Sequence, residues 1–200
     1  ELPKYRGRAP IPWSIIKKLS KSALTFFYIQ EGIDDGDIFA QEFFSISSND
    51  DATSLYDKIT NLGKKMIIEN LKLLQNNESK RIKQVQSKFI EYWPKRTPDD
   101  GLIDWSKSCR EIDILIRATT YPYPGAFTFF KNQKIIIWKS SFSETKICHP
   151  GKILGVTSDY VVIGSTNGQI TIKVAELLNG QSIFIENIFT ENDIGSYLDK

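Results

Sequence analysis

The feature that most constrains the fold of this chain is a change of hydrophobic period past its midpoint. Leu, Ile and Met recur at steps of three to five over residues 55–74, which predicts one long amphipathic helix. Asn49 or Asp50 can cap this helix, and Asp51 suits its positive N-terminal end. After residue 125 the apolar residues form short runs between turn residues, which predicts a series of strands. We therefore expect two units of different architecture.

Residues 1–75 are predicted to be part of an α/β domain, with two strands followed by the long helix. Prolines make 1–12 a predicted loop, and a short helix is expected over 13–19. The apolar, aromatic run at 23–29 predicts a strand that is buried on both faces. Residues 38–46 roughly alternate apolar and polar side chains, which predicts a second strand.

The second predicted unit covers residues 99–200. It follows the polar stretch 76–98, which ends in "WPKRTPDDG" and is predicted to be a linker. Ser106 or Ser108 can cap a helix that "YPYPG" ends, because proline cannot continue a helix. "AFTFF" and "KIIIWK" flank "KNQ" and predict a hairpin. The short strands that follow predict a small β-barrel.

Composition describes an ordinary globular protein, with 40% hydrophobic and 25% charged residues. A net charge of +2 is too small to argue by itself for a nucleic-acid-binding protein. Cys109 and Cys148 show no metal or redox spacing, which favours free thiols in a reducing compartment. No apolar run approaches the length of a membrane span. We expect a cytoplasmic protein with no metal and no membrane partner.

The acidic stretch "EGIDDGDI", residues 31–38, has more than one interpretation when taken alone. Asp and Gly are turn residues for local reasons, so a solvated acidic turn or a weak cation loop fits. A calcium EF-hand does not fit, because the twelve-residue spacing and the terminal Glu are wrong. "KYRGR", residues 4–8, is likewise open to interpretation as a basic surface loop that contacts phosphate or nucleic acid.

Together with their surroundings, these stretches resemble the folate-dependent formyltransferase family. "LPKYRGRAPIPW" matches the family's L-P-x-Y-R-G-x-A-P loop, and "EGIDDGDI" matches its acidic turn G-x-D-x-G-D. "RTPDDGLIDW", "IRATTYPYPGAFTFF" and "KIIIWK" resemble the family's C-terminal domain. The resemblance implies that residues 1–75 are the C-terminal portion of a Rossmann-like catalytic domain and that 99–200 are an OB-like domain. It also implies formyl transfer from 10-formyltetrahydrofolate to a primary amine.

The resemblance assigns roles to individual residues. In the family an Asn donates to the developing oxyanion, a His is the base and acid, and an Asp raises the pKa of that histidine. Asp34 matches this Asp and is the predicted catalytic residue. The predicted folate-binding residues are Arg8, Gln30, Glu31, Gly32, Ile33 and Asp34. Tyr5 and Arg6 are predicted substrate contacts, since Arg6 could serve a nucleotide-sugar phosphate.

The Asn and His of the family belong to an Asn-x-His motif upstream of "LPKYRG", whereas this sequence starts at Glu1. The single histidine, His149, does not match the catalytic position. We therefore expect an N-terminally truncated enzyme that does not formylate by itself.

Three interpretations of the function remain open. "KYRGRAP" with a following Trp, and "RTPDDG" before "IDW", resemble the branch that formylates nucleotide-linked amino sugars. Its partners would be an amino-sugar nucleotide and folate. The alternative is a methionyl-tRNA formyltransferase, whose partner would be tRNA, although Tyr5 and Arg8 fit that branch less well. The third is a non-catalytic binding fragment.

Overall fold

The computed structural model of the protein describes residues 1–85, 90–146, 149–177 and 185–198. The chain divides into two compact units, Glu1–Arg96 and Thr97–Lys200, which we call the N-terminal unit and the C-terminal unit. Across these four ranges, the structure has no helix with the length and apolar character needed to span a membrane.

In residues 1–85 and 90–96, the N-terminal unit contains two small sheets and two helices. Its elements are β1 (Tyr5–Gly7), α1 (Pro10–Ile16), β2 (Lys21–Phe27), β3 (Ile38–Ser45), α2 (Ala52–Gln75) and β4 (Glu91–Trp93). β1 pairs with β4 in parallel, and β2 pairs with β3 in antiparallel orientation. The loop predicted over 1–12 is therefore wrong: it contains β1, and α1 already begins at Pro10, a residue whose fixed φ suits a first helical turn.

β2 is much less buried than its sequence predicts. Only Ser22 on this strand is buried, and the other positions are half-buried or exposed. The prediction of burial on both faces is wrong, because within the described ranges β2 has a single neighbouring strand, β3. An apolar run shows that a strand can be covered but does not show what covers it.

The long helix α2 begins one residue later than predicted. Its N-cap is Asp51, whose side chain accepts a hydrogen bond from Ser54 N at 2.8 Å. Asp50 is instead buried, and its carboxylate is bound by Lys58 Nζ at 2.5 Å, by Ser47 N at 2.7 Å and by Ser54 Oγ at 2.9 Å. Burial alone would raise the pKa of Asp50, but these hydrogen bonds outweigh burial and lower it.

The apolar face of α2 is buried only as far as Met66. Leu55 and Met66 are buried, as the period predicts. Leu71 is 47% exposed and Leu74 is 36% exposed, so the prediction of core packing over 55–74 is wrong for the part of the helix after Met66.

The stretch 76–98, predicted to be a linker, belongs mostly to the N-terminal unit. Ile82 forms a bridge with Ile38, the first residue of β3. β4 pairs with β1, and the boundary between the units follows Arg96. The boundaries 1–75, 76–98 and 99–200 are therefore corrected to units that meet between residues 96 and 97.

The C-terminal unit is built on one antiparallel sheet. Its longer elements are α3 (Cys109–Thr119), β5 (Ala126–Phe130), β6 (Gln133–Glu144), β7 (Ile153–Val156), β8 (Val161–Gly164) and β9 (Gly168–Leu177). Three short 3₁₀ helices cover Pro98–Gly101, Ile185–Asn187 and Glu191–Asp193. The strand order is β5-β6-β9-β8-β7, and α3 is capped by Ser108 as predicted.

The hairpin predicted around "KNQ" is confirmed. Lys131 and Asn132 connect β5 to β6, and both have positive φ, as a tight two-residue hairpin turn requires. In the part of the unit that the structure describes, β5 and β7 are edge strands and the sheet does not close. The OB-like barrel therefore stays a prediction.

Candidate functional site

The acidic turn between β2 and β3 directs Asp34 toward β1. Asp34 is half-buried and has a left-handed backbone with φ of 50°, which Asp tolerates better than most residues. Its Oδ2 accepts a hydrogen bond from Gly7 N at 2.8 Å. The carboxylate of the predicted catalytic residue is thus held against the protein rather than extended into bulk water.

Two glycines allow the backbone segments of this site to approach one another. Gly7 has a φ of 107°, and a Cβ atom there would lie 2.4 Å from the Trp93 carbonyl oxygen. A Cβ atom on Gly36 would lie 1.6 Å from the Tyr28 carbonyl oxygen. Side chains at either position would force the turn or the β1–β4 pair to move.

Gln84, which is not among the predicted site residues, binds the backbone on the other side of the turn. Gln84 Nε2 donates to the backbone carbonyls of Asp34, at 2.9 Å, and Gly36, at 2.7 Å. Gln84 Oε1 accepts from Arg6 Nη2 at 2.9 Å. Gln84 carries no charge and lies 50 residues from Asp34 in the sequence, so neither its chemistry nor its spacing marks it as a site residue.

Arg6 and Tyr5, the predicted substrate contacts, both lie on β1 against β4. Arg6 is only 3% exposed, and its Nη1 donates to the hydroxyl of Tyr92 at 3.3 Å. Its Nε is buried without a partner in the described ranges, and no carboxylate there pairs with it. The ring of Tyr5 stacks on Trp93 with centroids 4.6 Å apart. The substrate role of both residues stays a prediction.

The predicted folate-binding residues at 30–33 lie on the exposed side of the same turn. The turn is closed by Tyr28 N, which donates to the Asp37 carbonyl at 2.9 Å. Ile33 is 60% exposed, and the backbone N–H and C=O groups of 30–33 have no partner among the described residues. Free backbone donors and acceptors beside an exposed apolar side chain fit the edge and face of a flat pterin ring.

Arg8 completes the set of predicted folate-binding residues. Its backbone N donates to the Trp93 carbonyl at 2.9 Å, so the β1–β4 pair fixes its main chain. Its side chain is exposed, and no described acceptor binds the guanidinium. A free guanidinium suits the carboxylate end of a folate.

The remaining candidate groups lie elsewhere in the chain. His149 is exposed in the C-terminal unit, and Cys109 is buried there in a setting that raises the pKa of its thiol, chiefly because burial disfavours the thiolate. Cys148 lies outside the described residues. Within those residues, no group of three or more acidic, His or Cys side chains is arranged to hold a metal ion.

Two family models match the chain. The family described as "Formyl transferase" matches residues 2–71, and "Formyl transferase, C-terminal domain" matches residues 95–192. A methionyl-tRNA formyltransferase from Alkaliphilus oremlandii is 39% identical over 177 residues, which are 88% of this chain. The chain spans only 56% of that relative's length.

Two solved structures show the same fold. HypX from Aquifex aeolicus in complex with tetrahydrofolic acid has a TM-score of 0.71 at 21% identity and covers 88% of this chain and 31% of its own. An N-formyltransferase from Helicobacter canadensis, solved with folinic acid and dTDP-3-aminofucose, has a TM-score of 0.64 at 25% identity. That match covers 86% of this chain and 62% of the neighbour.

Proposed function

Because the chain belongs to the formyl transferase family, as its motifs predict, we propose that it carries the folate turn and the acidic catalytic residue of a formyltransferase. The reaction would move a formyl group from 10-formyltetrahydrofolate to a primary amine. The observation that carries this proposal is the Asp34 carboxylate, half-buried and bound to Gly7 N at 2.8 Å.

Asp34 would act by electrostatics. The amine attacks as a free base, so a neighbouring group must take its proton as the carbon–nitrogen bond forms. The family resemblance assigns that step to a histidine, and a fixed carboxylate beside an imidazole raises the imidazole's pKa toward the operating pH. The hydrogen bond from Gly7 N fixes the position of the Asp34 carboxylate, and a fixed position is what this role needs.

The folate would lie along residues 30–33. When bound, 10-formyltetrahydrofolate supplies the activated formyl group. The unpaired backbone groups of Gln30, Glu31 and Gly32 would bind the polar edge of its pterin, and Ile33 would cover a face of the ring. The Arg8 guanidinium would bind a folate carboxylate.

For the acceptor, we propose the amine of a nucleotide-linked amino sugar. The solved N-formyltransferase from Helicobacter canadensis holds folinic acid together with dTDP-3-aminofucose, and it is 25% identical to this chain. The C-terminal unit also carries ten Lys and Arg residues against twelve Asp and Glu residues, a charge that does not favour a polyanion such as tRNA.

A second candidate acceptor is Met-tRNA. The observation that favours it is the 39% identity to a methionyl-tRNA formyltransferase over 88% of this chain. The two acceptors differ in salt dependence, because tRNA binding releases counterions and weakens steeply as salt rises.

The test uses the full-length gene product with 10-formyltetrahydrofolate and either a UDP- or dTDP-linked amino sugar or Met-tRNA. We expect turnover of the amino sugar that is nearly insensitive to salt. Good turnover with Met-tRNA but not with either amino sugar would identify Met-tRNA as the acceptor instead. No turnover on either would leave the third interpretation, a non-catalytic binding module.

Asp34→Asn tests the catalytic role directly. The variant keeps the shape and the hydrogen bond to Gly7 N but loses the charge, so we expect turnover to fall by orders of magnitude with unfolding unchanged. Asp37→Asn is the matched control, since it makes the same change three residues along the turn. Wild-type turnover in Asp34→Asn would remove Asp34 from the mechanism.

A further inference from the structure

We propose that Gln84 is a positioning residue that holds Asp34 in its working geometry, and that Arg6 acts through Gln84 rather than by binding substrate. This inference rests on the proposed function, because it takes Asp34 to be the catalytic carboxylate. Gln84 lies outside every motif that identifies the family in this sequence.

The hydrogen-bonding chemistry fixes the orientation of the Gln84 amide. Arg6 Nη2 can only donate, so it must face the amide oxygen, at 2.9 Å. The carbonyls of Asp34 and Gly36 can only accept, so they must face the amide nitrogen. A flipped amide would lose all three hydrogen bonds, and the assignment of oxygen and nitrogen is therefore unambiguous.

Gln84 and Gly7 hold Asp34 from two directions. Gly7 N binds the side-chain Oδ2, and Gln84 Nε2 binds the carbonyl of the same residue. The second hydrogen bond, to Gly36 O, fixes the backbone just beyond. Asp34 has a left-handed backbone with φ of 50°, which is less favourable than a right-handed one even for Asp, so these contacts help to keep it.

Arg6 supplies the rigid end of this arrangement. Arg6 is only 3% exposed, and its guanidinium donates to the neutral groups of Gln84 and Tyr92. In the described part of the chain it forms no ion pair with a carboxylate. A buried cation strengthens the hydrogen bond that it donates to an amide oxygen. β1 thus reaches the acidic turn twice, directly through Gly7 and indirectly through Arg6 and Gln84.

Gln84→Glu is the sharpest single test. It keeps the size of the side chain and an acceptor for Arg6, but it replaces both donated hydrogen bonds with repulsion between oxygen atoms. Gln41→Glu is the matched control, because Gln41 Nε2 also donates two hydrogen bonds in the N-terminal unit, to Leu2 O and Thr25 Oγ1, away from the turn.

In the full-length gene product we expect Gln84→Glu to lower kcat about tenfold or more with the KM for the acceptor little changed, and Gln41→Glu to stay near wild type. The double variant Asp34→Asn/Gln84→Glu should be no slower than Asp34→Asn alone, because Gln84 acts through Asp34. Wild-type kcat in Gln84→Glu, or an additive loss in the double variant, would overturn the proposal.

A second measurement separates failure of this inference from failure of the proposed function. Hydrogen exchange at the Gly7 amide, measured by NMR, reports the hydrogen bond to Asp34 without any turnover. Gln84→Glu should speed this exchange while Gln41→Glu leaves it unchanged, whether or not the wild type transfers formyl groups. Unchanged exchange would overturn the positioning role. If Gln84→Glu does not fold, Gln84→Met removes the same donors without a new charge and serves in its place.

Discussion

The two units of this chain differ in how many apolar side chains they bury. The C-terminal unit has one continuous apolar core formed by α3, the sheet and the last 3₁₀ segments, with Ile112, Ile137, Ile163 and Phe189 at its centre. The N-terminal unit buries fewer apolar side chains, and much of the apolar surface of α2 is exposed.

This difference implies that the stability of the chain and the chemistry of the candidate site depend mainly on different units. Apolar burial is the main favourable term in folding, so the C-terminal unit has the larger local source of stability. The candidate site depends on polar contacts among Gly7, Asp34 and Gln84, which fix geometry but contribute little net free energy. Small changes there should alter function more than global stability.

The largest expected effect on stability is in the C-terminal core. Ile163 is fully buried, so Ile163→Ala should cost about 2–5 kcal/mol in the free energy of unfolding. Ile68→Ala makes the same change at a position 77% exposed on α2, and it should stay within about 0.5 kcal/mol of wild type. Urea unfolding, followed by hydrogen exchange of peptides from each unit, measures both. Equal losses would show that the part of α2 after Met66 is covered in solution.

An intermediate effect is expected at Gly7. Gly7→Ala meets both a positive φ and the Trp93 carbonyl oxygen at 2.4 Å, so it should destabilise the N-terminal unit by about 1–3 kcal/mol and weaken the Asp34 contact. Gly195→Ala in the C-terminal unit has a similar φ of 94° but no atom within 4 Å, and it should cost less. Thermal unfolding measures the loss of stability in each variant. A larger loss for Gly195→Ala than for Gly7→Ala would contradict the proposed steric cause.

The smallest expected effect is a pH dependence shared by both units. Asp50 and Asp193 are buried, which would raise their pKa values, but hydrogen bonds from Lys58 and Lys131 among others lower both below the ordinary range. A carboxyl with a lowered folded pKa stabilises above its unfolded pKa, about 3.9, and this contribution is lost as pH falls through the folded value.

Acid titration of each unit by hydrogen exchange checks this expectation. Asp50→Asn should flatten the acid dependence of the N-terminal unit only, and Asp193→Asn that of the C-terminal unit only. A change in the opposite unit after either substitution would show that their stabilities are coupled.

Much of the fold follows from local sequence patterns. The structure confirms the strand at 38–46, the cap at Ser108 and the hairpin around residues 131–132, because each depends on neighbours along the chain. The α/β formyltransferase fold, which the family resemblance implies, is confirmed by the solved structures. Short sequence motifs likewise identified the family and the acidic turn that carries Asp34.

The wrong predictions concern partners distant in sequence. Periodicity identified the apolar face of α2 but not how much of it is covered, and the same holds for β2. The stretch 76–98 looked like a linker because it is polar, yet Ile82, Gln84 and β4 complete the N-terminal unit. Gln84 was missed because an amide becomes informative only when its three partners are known.

The parallel pairing of β1 with β4 also sets the order of events during synthesis. Arg6 and Tyr92, which hydrogen-bond across this pair, are 86 residues apart in the chain. The ribosome must therefore release nearly the whole N-terminal unit before β4 can reach its partner strand. Until then Gln84 and the Trp93 carbonyl are unavailable, so the acidic turn acquires its final shape among the last events of that unit's maturation.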